Sequence, residues 1–140
     1  MTQPFHLALP VPCLDHISSF YIDLLKCKKG RSDNTWIDLN FWGHQLVFHL
    51  VPSIVITPHY NPVESHQVPI PHFGVILKQK KWDELAHRLQ LANTTFIIEP
   101  YTRFQGKKGA HSTLFFQDPV GYHLEFKSFH NDDDIFNKGA

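Results

Sequence analysis

The apolar positions fall into short runs broken by turn residues, and two of the runs have helical rather than strand spacing. Phe5 to Val11 (FHLALPV) is a compact apolar run bounded by Pro10 and Pro12, which predicts a short strand. From Cys13 to Lys26 the residues Leu14, Ile17, Phe20, Tyr21, Leu24 and Leu25 recur at intervals of three and four, the pattern of an amphipathic helix. Asp15 sits in its first turn, where the helix dipole favours an anion, and Gly30 follows as an exit signal. Thr35–Leu39 and Gln45–Val51 predict strands separated by a turn around Asn40–Gly43. Pro52, Pro58, Pro62, Pro69 and Pro71 then predict a linker or extended crossover without regular core structure. The chain next presents a strand, His72–Gln79, and a helical run, Trp82–Leu91, with Trp82, Leu85, Ala86, Leu89 and Leu91 in register. Thr94–Ile98 is β-rich. Ser112–Gln117 and Tyr122–Phe129 form a hairpin around Asp118-Pro119-Val120-Gly121, a strong turn signal.

Strand, helix, strands is thus written twice. A shift of 66 residues lays His6-Leu7-Ala8-Leu9 on His72-Phe73-Gly74-Val75 and superposes the two helices. A shift of 78 lays Gln45-Leu46-Val47-Phe48 on His123-Leu124-Glu125-Phe126. The 12-residue difference places an insertion in the second half, for which Tyr101–Ala110 (YTRFQGKKGA) is the natural segment. The expected organisation is one domain, 1–140, with a module at about 4–52, a crossover at 53–70, a second module at about 71–130 and a flexible tail at 131–140.

Composition narrows the function classes. The chain has 140 residues, of which 42% are hydrophobic and 19% charged, enough apolar mass for a packed core. Thirteen basic residues balance thirteen acidic ones, so the basic excess of a nucleic-acid binder is missing. No apolar run reaches the length of a membrane span, and the amino-terminal stretch lacks the layout of a secretory signal. Cys13 and Cys27 are too few for a disulfide framework and suit a reducing compartment, so a cytoplasmic location is expected and both thiols are read as packing residues.

Eleven histidines are scattered along the chain, so any metal site has to be gathered by the fold. Strand side chains alternate faces, which puts His6 with Ala8, His72 with Gly74, and His123 with Glu125. Ala8 and Gly74 suggest room for a ligand beside the repeat-related histidines. Two imidazoles and a carboxylate, His6, His72 and Glu125, are the parts of a facial triad as used by non-haem Fe(II) enzymes; Mn, Ni, Co or Zn would also accept these donors. A lone strand imidazole is ordinarily a hydrogen-bonded structural residue, and the repeat is what couples these three. A carboxylate on a buried strand face is costly unless paired or metal-bound. Val47, equivalent to Glu125 by the repeat, cannot ligate; Gln45 and His49 share its face. Asp132–Asp134 reads as a solvated tail, and His59 and His66 fall in the proline-rich crossover.

The segments HLALPV with FYIDLL, TWIDLNFWGHQLVFHL, PHFGVIL and DPVGYHLEFK together resemble the vicinal oxygen chelate superfamily over nearly the whole chain, and are most similar to small extradiol-type dioxygenases. The resemblance implies an α+β fold of two βαβββ modules forming a curled mixed β-sheet around a metal-site cleft. It puts metal ligands on His6, His72 and Glu125, with Fe(II) the first choice. It also implies a homodimer acting on a small molecule, here a catechol-like aromatic with vicinal oxygens. Alternatives within the resemblance are an isomerase or lyase of glyoxalase or epimerase type, and a binding protein without turnover. The acid–base His and Tyr of ring-cleaving enzymes have no clear counterpart; His49, His123, Tyr101 and His111 are the candidates. Arg103 suits a substrate carboxylate, and Phe104, Phe115 and Trp42 suit the walls of an aromatic site.

Overall fold

A computed structural model describes residues 3–137. Packing divides the chain into two compact units, residues 1–57 with 119–121, and residues 58–118 with 122–140.

The first unit begins with β1 (His6–Val11) and α1 (Asp15–Ile17), which widens into a π-helical stretch over Ser18–Leu24. β2 (Lys28–Asp33), β3 (Trp36–Phe41) and β4 (His44–Leu50) complete a sheet of order β1-β4-β3-β2. Ile37, Leu39, Phe41, Leu46 and Phe48 line its buried face, because residues two apart on a strand point the same way. The helical segment covers that face: the Tyr21 ring lies 5.0 Å from Phe48 and 6.5 Å from Phe41. The helix exits through Lys26, at φ 64°, rather than through Gly30, which lies inside β2. Gly30 is required there for a different reason: a Cβ at this position would stand 3.2 Å from the Asp38 Cβ. The β3–β4 turn forms where expected, with Trp42 and Gly43 at positive φ and the Gly43 amide donating to Asn40 Oδ1 at 2.7 Å.

The second unit opens with an element the prolines concealed. Instead of an irregular crossover, β5 (His59–Val63) and β6 (His66–Ile70) form a two-stranded hairpin, with Pro62 and Pro69 tolerated because each strand has an unpaired edge. β7 is only His72–Phe73, much shorter than the expected His72–Gln79. The chain then leaves the sheet, touches it again where Ile76 bridges Lys127, and enters α2 (Gln79–Leu91). α2 buries Trp82, Leu85, Ala86 and Leu89, and the Trp82 indole donates to the Phe126 carbonyl at 2.9 Å. β8 (Phe96–Arg103), β9 (His111–Gln117) and β10 (His123–Phe129) give the order β7-β10-β9-β8, the same as the first sheet. Leu114, Phe116, Leu124 and Phe126 make the apolar face, with Phe116 stacked on Phe126 at 5.9 Å.

The fold is therefore α+β, built as two βαβββ modules. Its registers repeat with the sequence shifts: His6 pairs with Gln45 and His72 with His123, both parallel, and these four positions are related by 66 and 78 residues. The inserted segment is partly strand, since β8 runs to Arg103 before a turn in which Phe104, Gly106 and Gly109 take positive φ. One edge strand of each four-stranded sheet is irregular: β2 bulges between Lys29 and Ser32, and β8 slips twice between Phe96 and Tyr101. Of the expected flexible tail, 138–140 lie outside the described residues. Asp132–Asp134 form a 3₁₀ turn capped by Asn131; Asp132 pairs with Lys78, and Asp134 accepts from the Gly109 amide at 3.0 Å.

Candidate metal centre

In the second unit the face turned away from α2 collects the polar residues. Strand pairing sets His72 beside His123 and Gln117, Glu125 beside Phe115, Thr113 between Lys127 and Tyr101, and His111 between Phe129 and Arg103, all pointing the same way. His72 Nε2 lies 3.1 Å from Glu125 Oε1. His72 Nδ1 is 2.6 Å from the Pro69 carbonyl oxygen. A carbonyl only accepts, so Nδ1 carries the proton and Nε2 presents either a second proton or a lone pair toward the carboxylate. Thr113 Oγ1 donates to Glu125 Oε2 at 2.5 Å, and Lys127 Nζ stands 3.9 Å from the same oxygen.

These contacts set the charge states. The hydrogen bond to Glu125 raises the His72 imidazole above its ordinary value, against the opposing effect of burial. Burial pushes the Glu125 carboxyl up, but hydrogen bonds from His72 and Thr113, with the nearby charge of Lys127, outweigh it and leave the group below its ordinary value. The result is an ionised carboxylate on a residue that is only 8% exposed. Gly74 has a role other than making room for a ligand. A Cβ there would run into the Glu125 carbonyl oxygen, so the missing side chain lets the chain after β7 lie against β10.

The pair suits a metal. Two donors about 2.1 Å from one octahedral ion, at right angles, are about 3.0 Å apart, close to the separation of Nε2 and Oε1. Both also have the outer partners that orient ligands, Pro69 for the imidazole and Thr113 for the carboxylate. Among the described residues no group of three or more His, Cys, Asp or Glu is close enough to hold an ion, so this unit contributes a pair.

The first unit carries the repeat-related histidine with a matching arrangement. His6 Nδ1 lies 2.7 Å from Gln45 Oε1, and Gln45 Nε2 donates to Asp38 Oδ2 at 3.4 Å, with Arg31 Nε 3.8 Å from the same oxygen. The amide oxygen accepts from Nδ1, which leaves His6 Nε2 with its lone pair free. Ala8, Val47 and His49 share this face. Trp42 occupies the β3–β4 turn with its ring 4.8 Å from Phe41.

The other expected residues lie in the second unit. The Phe115 ring stands edge-on to His72 at 5.0 Å, as a wall beside the imidazole. Burial, then the charge on His72, lowers the His123 imidazole, so it is neutral; Tyr60 of β5 faces it at 6.5 Å. Burial also lowers His111, whose Nδ1 lies 2.9 Å from the Gly109 carbonyl and whose ring stacks on Phe129 at 4.7 Å. Burial raises the Tyr101 phenol, and its ring stacks on His66 of β6 at 5.0 Å. Arg103 lies against the Phe104 ring at 5.3 Å.

Comparison with known proteins completes the picture. No protein-family model matches the chain, and a search of curated proteins finds no match. Among solved structures, a glyoxalase/bleomycin resistance protein/dioxygenase from Alicyclobacillus acidocaldarius is 32% identical, with 96% of each chain covered and a TM-score of 0.78. The chain belongs to the vicinal oxygen chelate superfamily. A fosfomycin resistance protein from Listeria monocytogenes (91% and 93% covered) and a lactoylglutathione lyase from Agrobacterium tumefaciens (91% and 94%) share the fold at 14% identity and a TM-score of 0.65. Proteins that share this fold thus include an enzyme, the lyase. Members of the superfamily are typically dependent on a divalent metal and act on small molecules. No helix among the described residues is long and apolar enough to cross a membrane.

Sequence reasoning missed the supports of this candidate site. Thr113, Lys127 and Pro69 meet the candidate ligands through strand pairing and turns, Asp38 meets Gln45 behind His6, and no spacing along the chain signals them. Thr113 alone left a trace, as a hydroxyl amid the apolar run Leu114-Phe115-Phe116.

Proposed function

We propose that the chain is a metal-dependent dioxygenase of the extradiol type, holding Fe(II) through His6, His72 and Glu125 and opening a catechol-like ring that chelates the ion through its adjacent oxygens. The observation that carries this reading is the His72–Glu125 pair, two donors at cis spacing with their outer partners already in place. His6 qualifies as the third ligand because Gln45 occupies its Nδ1 and leaves Nε2 available. Val47 stands at the repeat position of Glu125 and cannot ligate, so three residues of the protein would hold the ion.

The bound ion would supply Lewis acidity and an electron path between substrate and dioxygen. The chain's own part is positioning and proton handling. Thr113 and Lys127 keep Glu125 ionised, and the Pro69 carbonyl holds the His72 ring in its ligating tautomer. Phe115 walls an aromatic substrate. His123 is neutral, shares the Glu125 face, and takes the proton released from a substrate hydroxyl at a ring nitrogen. Tyr101 keeps its phenolic proton and serves as a hydrogen-bond donor, while His111 and His49 are the remaining acid–base candidates. The active species is a homodimer in cytoplasm, with His6 supplied by the same chain or by its partner.

Metal analysis of protein purified without chelator tests the site, with His72→Ala alongside. Stoichiometric iron in the parent and its loss in the variant are expected; undiminished metal in the variant would remove the site. Mixing His6→Ala with His72→Ala protein restores part of the metal binding if the ligands come from two chains, and none if they come from one. An aerobic assay of the Fe(II)-loaded protein against a catechol panel then tests the reaction. Metal binding without a ring-cleavage chromophore would leave a metal-dependent superfamily member and reject the dioxygenase.

A further inference from the structure

Arg103 is held in a way that leaves half of its recognition surface unused. It lies at the end of β8, 22% exposed, and its Nη2 donates to Glu64 Oε1 at 2.7 Å. Nε, on the same edge of the guanidinium, is buried with no hydrogen-bond partner among the described residues. A carboxylate approaching that edge takes Nε–H and Nη2–H together, one oxygen each, and satisfies both. Glu64 reaches it with a single oxygen, from the β5–β6 turn, at φ 55° and with its side chain half exposed. The internal carboxylate is therefore an imperfect occupant, and an exposed ion pair of this kind is a weak one.

A cleft lies next to this pair, with neither Arg103 nor Glu64 in its wall. It has a volume of about 530 Å³, within the ordinary range for small-molecule sites, and lies between the β5–β6 hairpin and β8. Its lining includes Ser65, next to Glu64, and Tyr101, two residues before Arg103 on the same face. Tyr60, His66 and Ile98 add ring and aliphatic surface, and Glu99 adds one carboxylate, so the acid group of a ligand belongs at the Arg103 end. We infer that Arg103 is the anchor for a carboxylate on a small aromatic ligand, and that Glu64 is a built-in competitor which such a ligand displaces. This rests on the proposed small-molecule site and names the charge class of its ligand. The hairpin is the moving part: release of Glu64 frees its turn while the His66–Tyr101 stack holds its second strand.

The test uses the full chain without added metal and measures binding of benzoate, with benzamide as the neutral control. Glu64→Gln is expected to tighten benzoate about three- to tenfold, the range set by removing a weak competing ion pair, and to leave benzamide unchanged. Arg103→Gln is expected to weaken benzoate at least tenfold, with an unchanged far-ultraviolet spectrum as the folding check. An unaltered or weaker benzoate affinity in Glu64→Gln overturns the inference, as does an equal gain for benzamide. The metal titration of the parent protein is read separately. Its failure would remove the metal centre, whereas failure of the benzoate comparison would remove only the carboxylate anchor.

Discussion

Replacing Thr113 by Val isolates one hydrogen bond to the candidate carboxylate ligand at nearly constant shape. Thr113 is 2% exposed and donates to Glu125 Oε2 at 2.5 Å; the next donor toward that oxygen, Lys127 Nζ, is 3.9 Å away. A hydrogen bond to a charged group contributes about 1.5–3 kcal/mol, and the loss is felt because the carboxylate stays buried. The Glu125 carboxyl is held below its ordinary value partly by Thr113, so the variant's carboxyl titrates higher. A depressed carboxyl contributes stability that is present above its unfolded value and lost as pH falls through its folded value. Urea unfolding of metal-free protein, followed by tryptophan fluorescence, should therefore show a deficit of about 1.5–3 kcal/mol at neutral pH that shrinks in acid. Metal affinity should fall about 10- to 100-fold, as for other outer partners of ligands. A deficit of the same size at both pH values would mean that Thr113 acts by packing, and the account of Glu125 would be wrong.

Gly74→Ala should destabilise by about 1–3 kcal/mol or more, because its methyl meets the Glu125 main chain; a midpoint in urea equal to the parent's would refute the close approach. Trp82→Phe leaves the Phe126 carbonyl without its indole donor inside the α2–sheet core and should cost about 1–3 kcal/mol, read by the same titration; a neutral result would show that water replaces the indole. In chelator, the His72–Glu125 pair should give a stability plateau bounded on both sides. The raised imidazole loses its contribution as pH climbs through its folded value, and the lowered carboxyl loses its own as pH falls through its folded value. Melting temperatures of the parent and His72→Gln across pH should differ most on the plateau; a constant difference would contradict the coupling.

The fold was legible wherever one face of an element is buried. The spacing of Trp82, Leu85, Ala86 and Leu89 gave α2, and the two shifts that aligned the halves correspond to actual strand registers. Elements without a buried face left no pattern. Every residue of β2 is exposed, so Lys28–Asp33 shows no alternation, and the β5–β6 hairpin hides behind prolines that read as breakers. β7 looked longer than it is because Val75, Ile76 and Leu77 are apolar for other reasons, Leu77 being buried beyond the end of the strand. His6, His72 and Glu125 were legible as candidates, of which the structure pairs His72 with Glu125, because the repeat couples the two histidines and a charge within an apolar strand stands out. Their supports were not, since Thr113 meets Glu125 only through the β9–β10 pairing and Pro69 meets His72 only through the turn between β6 and β7.

The irregular edge strands β2 and β8 also bear on how the protein behaves when crowded. An unpaired strand offers a ladder of amides and carbonyls to any passing chain. β2 meets that hazard with Lys28, Lys29 and Arg31 and a kink in its backbone, and β8 meets it with Pro100 and two slips of register. Neither can serve as a flat template for a further strand. Concentrated solutions should resist fibrillar growth from these margins, and neutralising the three β2 cations would expose the first place for such growth to begin.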